Sequence, residues 1–438
     1  MKEAFYGLAS RLEKALRAGE TLLCNLSAER SDFVRFNKAL VRQAGTVQQS
    51  YLSLKLVRAG RQAAGTVSLA GTAQDEDSAT RLLGQVRDAL DALPEDPWLL
   101  INETPQSSDH VRRGKLARAE AVVEQVVGRS KGLDFVGFYA GGTLYRGFAN
   151  SLGQRNWHEV DSFNFDWSVY LNGDRAVKTS YAGFDWDSHA FSEKLATARG
   201  QLEFLARERR TIEPGEYRAY LAPAAMNEVL GMLSWGGFSA RARQTRQSPL
   251  LLMQEGRALS RKVTVTENTA EGIAKRFDSD GFPRPPAVPL ITQGALADPL
   301  VSPRSAKEYG LPANGAGPSE SPTSLDMAAG LLEEAKALEA LERGLYISNL
   351  WYLNYSDRPA GRITGMTRFA TFWVEHGRIA GPVTPMRFDD SIYRMLGDNL
   401  VDLTSTREML LDPSTYGERS IASARVPGAL LAGLRLTL

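Results

Sequence analysis

Apolar positions recur every three or four residues at the start of the chain. Phe5, Leu8, Leu12 and Leu16 share one face of a helix predicted over residues 3–17, with Gly19 to stop it. The period then drops to two. Residues 33–37 lead into 47–57, where Leu52, Leu54 and Leu56 alternate with polar neighbours, as in a strand with one wet face. Gly60 and Gly65 punctuate a predicted hairpin into 66–69. Helical spacing returns over 75–93, with Leu82, Leu83, Val86 and Leu90 on the buried stripe, and again over 116–127.

From 133 to 183 the pattern predicts hairpins. One joins 135–139 to 144–149; another joins 162–171 to 176–182 through Asn172-Gly173-Asp174, a strong turn signal. Ser188 is predicted to cap a helix running to about residue 210. The connector 212–216 sets a boundary between an N-terminal domain, 1–211, and a C-terminal domain, 212–438. Loops are predicted at 282–286 and 311–318 from their Pro and Gly content, and a helix over 326–342. From Tyr346 onward the chain reads as strand pairs, with turns at 357–361 and at His376-Gly377. The fold class is α+β: a mixed α/β N-terminal domain followed by a mainly β, barrel-like C-terminal domain with a few helices.

Composition narrows the function. The 438 residues are 43% hydrophobic and 24% charged, with 52 Lys plus Arg against 51 Asp plus Glu. A net charge of +1 gives no global basic field for nucleic acid. Uninterrupted apolar runs are too short for a membrane span, and the charge-studded opening helix is no export signal. Cys24 is the single cysteine, which excludes an intramolecular disulfide framework and a thiolate zinc cluster. The expectation is a cytoplasmic protein.

Candidate chemistry is sparse. His110, His158, His189 and His376 never fall three or four residues apart, and His158-Glu159 has no second imidazole following it. Cys24 sits in an apolar run, as a buried, inert thiol would. There is no Gly-x-Ser-x-Gly elbow, and Ala140-Gly141-Gly142-Thr143 lacks the lysine of a phosphate loop. The pairs Asp185/Asp187 and Asp389/Asp390 lie in polar turns, where solvation explains them. Aromatic residues concentrate over 346–373, including Trp351, Tyr352, Tyr355, Phe369, Phe372 and Trp373. That density marks the C-terminal domain as the expected association surface.

Several blocks in the second half resemble the TldD/PmbA family. They are Phe277-Asp278-Ser279-Asp280-Gly281-Phe282-Pro283, then Leu290-Ile291-Thr292-Gln293-Gly294-Ala295-Leu296, then Gly344-Leu345-Tyr346-Ile347. The resemblance continues through Phe372-Trp373-Val374-Glu375-His376-Gly377-Arg378-Ile379 to Pro382-Val383. It implies a division of labour. TldD chains are metallopeptidases with His-Glu-x-x-x-His on a helix and a late cysteine, whereas TldE/PmbA chains lack these ligands and pair with TldD.

In this sequence the matching hexad is Asn227-Glu228-Val229-Leu230-Gly231-Met232, and the late cysteine position falls near Tyr416. An amide and a thioether do not replace two imidazoles for zinc. Without a metal, Glu228 has no activated water to deprotonate. The resemblance therefore implies no catalytic residue and no metal in this chain, only degenerate positions Asn227, Glu228, Met232 and Tyr416. Zinc is expected in a TldD-like partner, and the complex would act on unfolded peptides. Two alternatives remain open: an autonomous homodimeric binding or scaffold protein, and a metal-free hydrolase using Glu228 with Asp389 or Asp390.

Overall fold

A computed structural model describes residues 1–437, so Leu438, at the end of the predicted C-terminal domain, lies outside the described residues. The chain opens with helix α1 (Lys2–Lys14) and the strands β1 (Thr21–Asn37), β2 (Leu40–Arg58) and β3 (Arg61–Ser68). Helix α2 (Gln74–Leu90), strand β4 (Ser107–Arg112) and helix α3 (Ala119–Ser130) follow. Strands β5 (Asp134–Asn150), β6 (Arg155–Asn172) and β7 (Arg175–Gly183) precede helix α4 (Ser188–Leu205). These strands form a seven-stranded sheet in the order β3-β2-β1-β5-β6-β4, with β7 pairing β6. One of its faces is covered by helices: Phe5, Leu8 and Leu12 of α1 and Leu83, Val86 and Leu90 of α2 pack on Leu26, Leu52 and Leu54. Farther along, α3 and α4 cover Phe135, Phe165 and Trp167.

The second half begins with β8 (Gly215–Leu221) and helix α5 (Pro223–Ser234), then the short helices α6 (Ala240–Gln244) and α7 (Leu251–Gln254). Short strands β9 (Val265–Glu267), β10 (Val288–Thr292) and β11 (Ala295–Leu296), helix α8 (Pro303–Tyr309), β12 (Ser324–Met327) and helix α9 (Ala337–Leu341) come next. The long strands β13 (Gly344–Asp357) and β14 (Arg362–Glu375), then β15 (Arg378–Pro382), β16 (Arg387–Ser391), β17 (Leu400–Leu411) and β18 (Ser423–Leu436) complete the chain. They form an eleven-stranded sheet in which β8 pairs both β13 and β18, so β8, β13, β14, β16 and β18 close a ring. Its interior, with α5, forms the largest apolar core. The expected α+β class with a barrel-like second half is what the architecture displays. No helix among the described residues is long and apolar enough to cross a membrane.

Several local expectations are corrected. Residues 135–149 are not a hairpin but one continuous strand, β5. Gly141 and Gly142 do not turn the chain; a Cβ on Gly142 would meet the Arg30 carbonyl at 2.1 Å, so the glycine lets β1 and β5 approach. The predicted helix over 326–342 is mostly absent. Its first residues pair with β9 and β18 as β12, where Asp326 holds Arg407, and Gly330 lies against the Leu403 backbone. Only Ala337–Leu341 stays α-helical, after a turn of 3₁₀ helix at Glu334–Lys336. The cap of α4 is Asp187, whose carboxylate accepts from the His189 N–H (2.7 Å), and the helix ends at Leu205, after which the Arg210 N–H bonds the Pro382 carbonyl. The β2–β3 turn is at Ala59-Gly60, with Gly65 inside β3. Helix α1 stops at Lys14, short of residue 17.

Candidate functional site

Helix α5 is built by its own sequence. Pro223 occupies the first turn, where its missing N–H costs nothing, and Met226, Val229, Leu230 and Leu233 form a buried stripe against the barrel. Asn227 is half-buried and Glu228 exposed on the opposite side. Met232 follows Asn227 by five residues, about 140° around a regular helix. It is 2% exposed within the main core. The three hexad positions therefore do not converge on one point in solvent.

Tyr416 is fully exposed. Its loop is anchored on the first sheet: Glu418 accepts from Ser27, and Arg419 Nη2 donates to the Ser162 carbonyl at 2.9 Å. Helix α5 instead packs against β8, β13 and β18. Among the described residues, no group of three or more His, Cys, Asp or Glu side chains is placed to hold a metal. An amide, a core thioether and a loop tyrosine are a poor donor set for zinc, and the residues present do not fit that metal.

The start of α5 does line a cleft. A cavity of about 670 Å³ lies between β7 and α4 on one side and β8, α5, α9, β13 and β17 on the other. Its floor is aromatic: the Tyr220 and Tyr346 rings stack at 5.7 Å, and Gln201 Nε2 donates to the Tyr346 hydroxyl at 3.3 Å. Burial pushes the Tyr346 phenol up to about 12. Lys194 of α4 reaches Glu408 of β17 at 3.1 Å, an ion pair joining the two sheets' surroundings. Glu228 does not line the cleft; the protein around it raises its carboxyl above the ordinary value by desolvation, and Lys178 partly opposes the rise. Nothing in the sequence pointed to Lys178, Lys194, Gln201 or Glu408. They are isolated polar residues on four elements, with no spacing that announces a shared cleft.

Other candidates resolve into structural roles. Cys24 is fully buried, and burial raises its thiol pKa. His158 Nε2 donates to the Ile273 carbonyl at 3.1 Å, and its ring stacks on His110 at 5.2 Å. Asp389 binds Arg362 (2.6 Å), while Asp390 accepts from Arg394 Nε and the Arg435 N–H, each at 3.0 Å. Of the aromatic set, Phe372 and Trp373 are core residues, whereas Trp351 and Tyr352 are exposed.

A two-sheet α+β chain with a ring-closed second sheet and helix α5 packed on that ring defines the class. Residues 214–437 match the family model of the PmbA/TldA metallopeptidase C-terminal domain, and the chain belongs to the TldD/PmbA family. The whole fold resembles TldE from Thermococcus kodakarensis, with a TM-score of 0.80 and 15% identity over 99% of this chain and 100% of that one. A protein from Thermotoga maritima described as a candidate modulator of a DNA gyrase gives 0.76 and 14%, covering 100% of both chains. One similarly described from Bacteroides thetaiotaomicron gives 0.77 and 15%, covering 100% of this chain and 98% of that one. At these identities the likeness concerns the fold. No curated protein matches the sequence.

Proposed function

We propose that this chain is a non-catalytic, TldE/PmbA-like subunit that partners a TldD-like zinc metallopeptidase in degrading or maturing unfolded peptides in the cytoplasm. The observation that supports this reading is the state of α5: Asn227 and Met232 stand where the resemblance would place the two imidazoles, and Met232 is in the core. The cleft beside α5 supports it, since an aromatic floor with a few polar groups suits an extended peptide in a sequence-tolerant way. The metal-free hydrolase reading is weaker, because Asp389 and Asp390 are engaged by arginines and backbone within the barrel.

The test is reconstitution. The purified chain alone should neither cleave unfolded peptides nor hold stoichiometric zinc after zinc loading. Added to a TldD-like subunit, it should form a complex whose zinc follows that subunit. Metal-dependent cleavage by this chain alone, or about one tightly bound zinc per chain, would overturn the reading.

A further inference from the structure

Strand register places a row of basic side chains on the face of the first sheet that meets the second half of the chain. Arg146 of β5 lies opposite His158 of β6, which lies beside His110 of the edge strand β4. Arg112, two residues along β4, is on the same face. The segment 271–276 lies over this row. Its Ile273 packs on Leu144 and Val160, and the Ile273 carbonyl holds His158 Nε2 at 3.1 Å. Arg276, three residues on, is close enough for its charge to act on both imidazoles and on Arg112.

The row is short of partners. Arg146 is matched, by the Ala28 and Tyr145 carbonyls at 3.2 and 2.9 Å and by Glu418 at 3.4 Å. Arg276 is not: its Nε is buried without an acceptor, and among the described residues no hydrogen bond or ion pair engages the rest of its guanidinium. Arg112 uses one N–H on the Glu271 carbonyl, at 3.3 Å, and lies over the Phe184 ring. The carboxylates nearby are committed, Glu271 to Arg425 at 3.1 Å, Asp109 to Lys2, and Asp185 to the Lys115 N–H. Because His158 donates through Nε2, its neutral ring leaves Nδ1 as an acceptor, and that atom is buried without a partner.

We propose that this cluster is a phosphate site. Arg276, Arg112 and His110 bind the oxygens of a hydrogen phosphate ion, and its one P–OH donates to His158 Nδ1. Positive groups gathered in a partly buried place call for a counter-charge, and a guanidinium fork matches two oxygens of a tetrahedral anion at once. Sulfate offers the same oxygens but no proton at neutral pH, and a carboxylate offers only two oxygens. Neither serves both the donors and the lone acceptor. Arg276, His110 and Arg112 are half-buried, so the site opens to solvent at the β4 edge. Burial, then the charges of Arg276 and Arg112, holds the His110 pKa below its ordinary value, in keeping with the crowding of positive groups there. The inference does not rest on the proposed function.

The test is calorimetric titration of the full-length chain with inorganic phosphate, at neutral pH and constant ionic strength in chloride. One ion per chain should bind, about tenfold or more tighter than sulfate or acetate, and phosphate should raise the melting temperature above that in chloride. Arg276→Gln should weaken phosphate about tenfold, and Arg276→Lys, which keeps the charge but loses the fork, should recover only part of that. With no bond to lose and a like charge removed, Arg276→Gln should melt no lower than the parent in phosphate-free buffer.

His110→Gln, on the edge strand, should weaken phosphate a few-fold and keeps the test sharp should Arg276→Gln perturb the fold. Absence of phosphate binding beyond the chloride baseline would overturn the proposal. So would sulfate or acetate binding as tightly as phosphate, or a phosphate affinity unchanged in both Arg276→Gln and His110→Gln.

Discussion

The Tyr355 hydroxyl of β13 donates to the backbone carbonyl of Met232, fixing the last turn of α5 to the barrel wall. The contact ties the backbone at position 232 to the barrel. Met232 is held with its side chain in an apolar core.

Met232→His, alone or with Asn227→His, should therefore not create a tight zinc site. An imidazole at 232 would replace a thioether among apolar neighbours and lack a partner, at a cost of ~1–3 kcal/mol. Thermal melts should fall, and elemental analysis of the zinc-loaded double variant should show no stoichiometric metal. A stable variant holding about one zinc per chain would show that α5 rotates more freely than its packing indicates.

Glu228→Gln should leave peptide turnover by the reconstituted complex within a few-fold of the original, because the catalytic glutamate would belong to the partner. A hundredfold loss with assembly intact would mark Glu228 as an acid–base group, since such losses are typical there. The sign of the stability effect is also set. Burial raises the Glu228 pKa, so the ionised form is disfavoured in the folded state and stability falls as pH rises through that value. The glutamine variant should lack this contribution and melt no lower at neutral pH.

Legibility in the sequence followed the range of the interactions involved. The Asn172-Gly173-Asp174 hairpin and the stripe of α5 are local patterns, and both appear in the structure. Residues 326–342 misled because Ala, Leu and Glu favour a helix intrinsically, while pairing of Leu325 and Asp326 with distant β9 and β18 decides the outcome. The hexad was visible as a motif, but the depth of Met232 was not, since it depends on a barrel closed by β8 and β18 across the chain. The cleft was invisible for the same reason. Lys194 and Glu408 meet only after both halves have folded.

His158 should control an acid transition. It is 1% exposed; burial first, then the neighbouring His110, lowers its pKa from the ordinary 6.5 to about 3. The unfolded chain takes up this proton before the folded one does. Stability is thus full above about 6.5 and falls as pH drops toward 3, by up to ~1.4 kcal/mol per pH unit. His158→Gln keeps an amide donor for the Ile273 carbonyl but cannot titrate. Its denaturant midpoint, measured from pH 7 to 4, should fall less steeply than that of the parent chain; parallel slopes would assign the acid limb to other groups.

Arg419 should be the most sensitive single tie between the loop after β17 and the first sheet. Its guanidinium is nearly buried: Nη2 donates to the carbonyl and hydroxyl of Ser162 at 2.9 Å each, and Nη1 to the Ser31 hydroxyl and Gly142 carbonyl at 3.3 Å each. Burial lowers its pKa to about 10, so it stays charged at neutral pH and its donors remain matched to those acceptors. Arg419→Ala would leave buried oxygens from β1, β5 and β6 without partners and open a void beneath the loop. A loss of ~2–4 kcal/mol is expected, as for other broken buried charge networks. Arg419→Lys should recover only part of it, because one ammonium cannot span acceptors on three strands as a planar guanidinium does. Calorimetry on the three proteins gives the ranking. Amide exchange should locate the change at residues 412–422 and the facing parts of β1, β5 and β6. A neutral Arg419→Ala substitution would mean that the loop is held by Glu418 and its contacts with Ser27 and Arg146 instead.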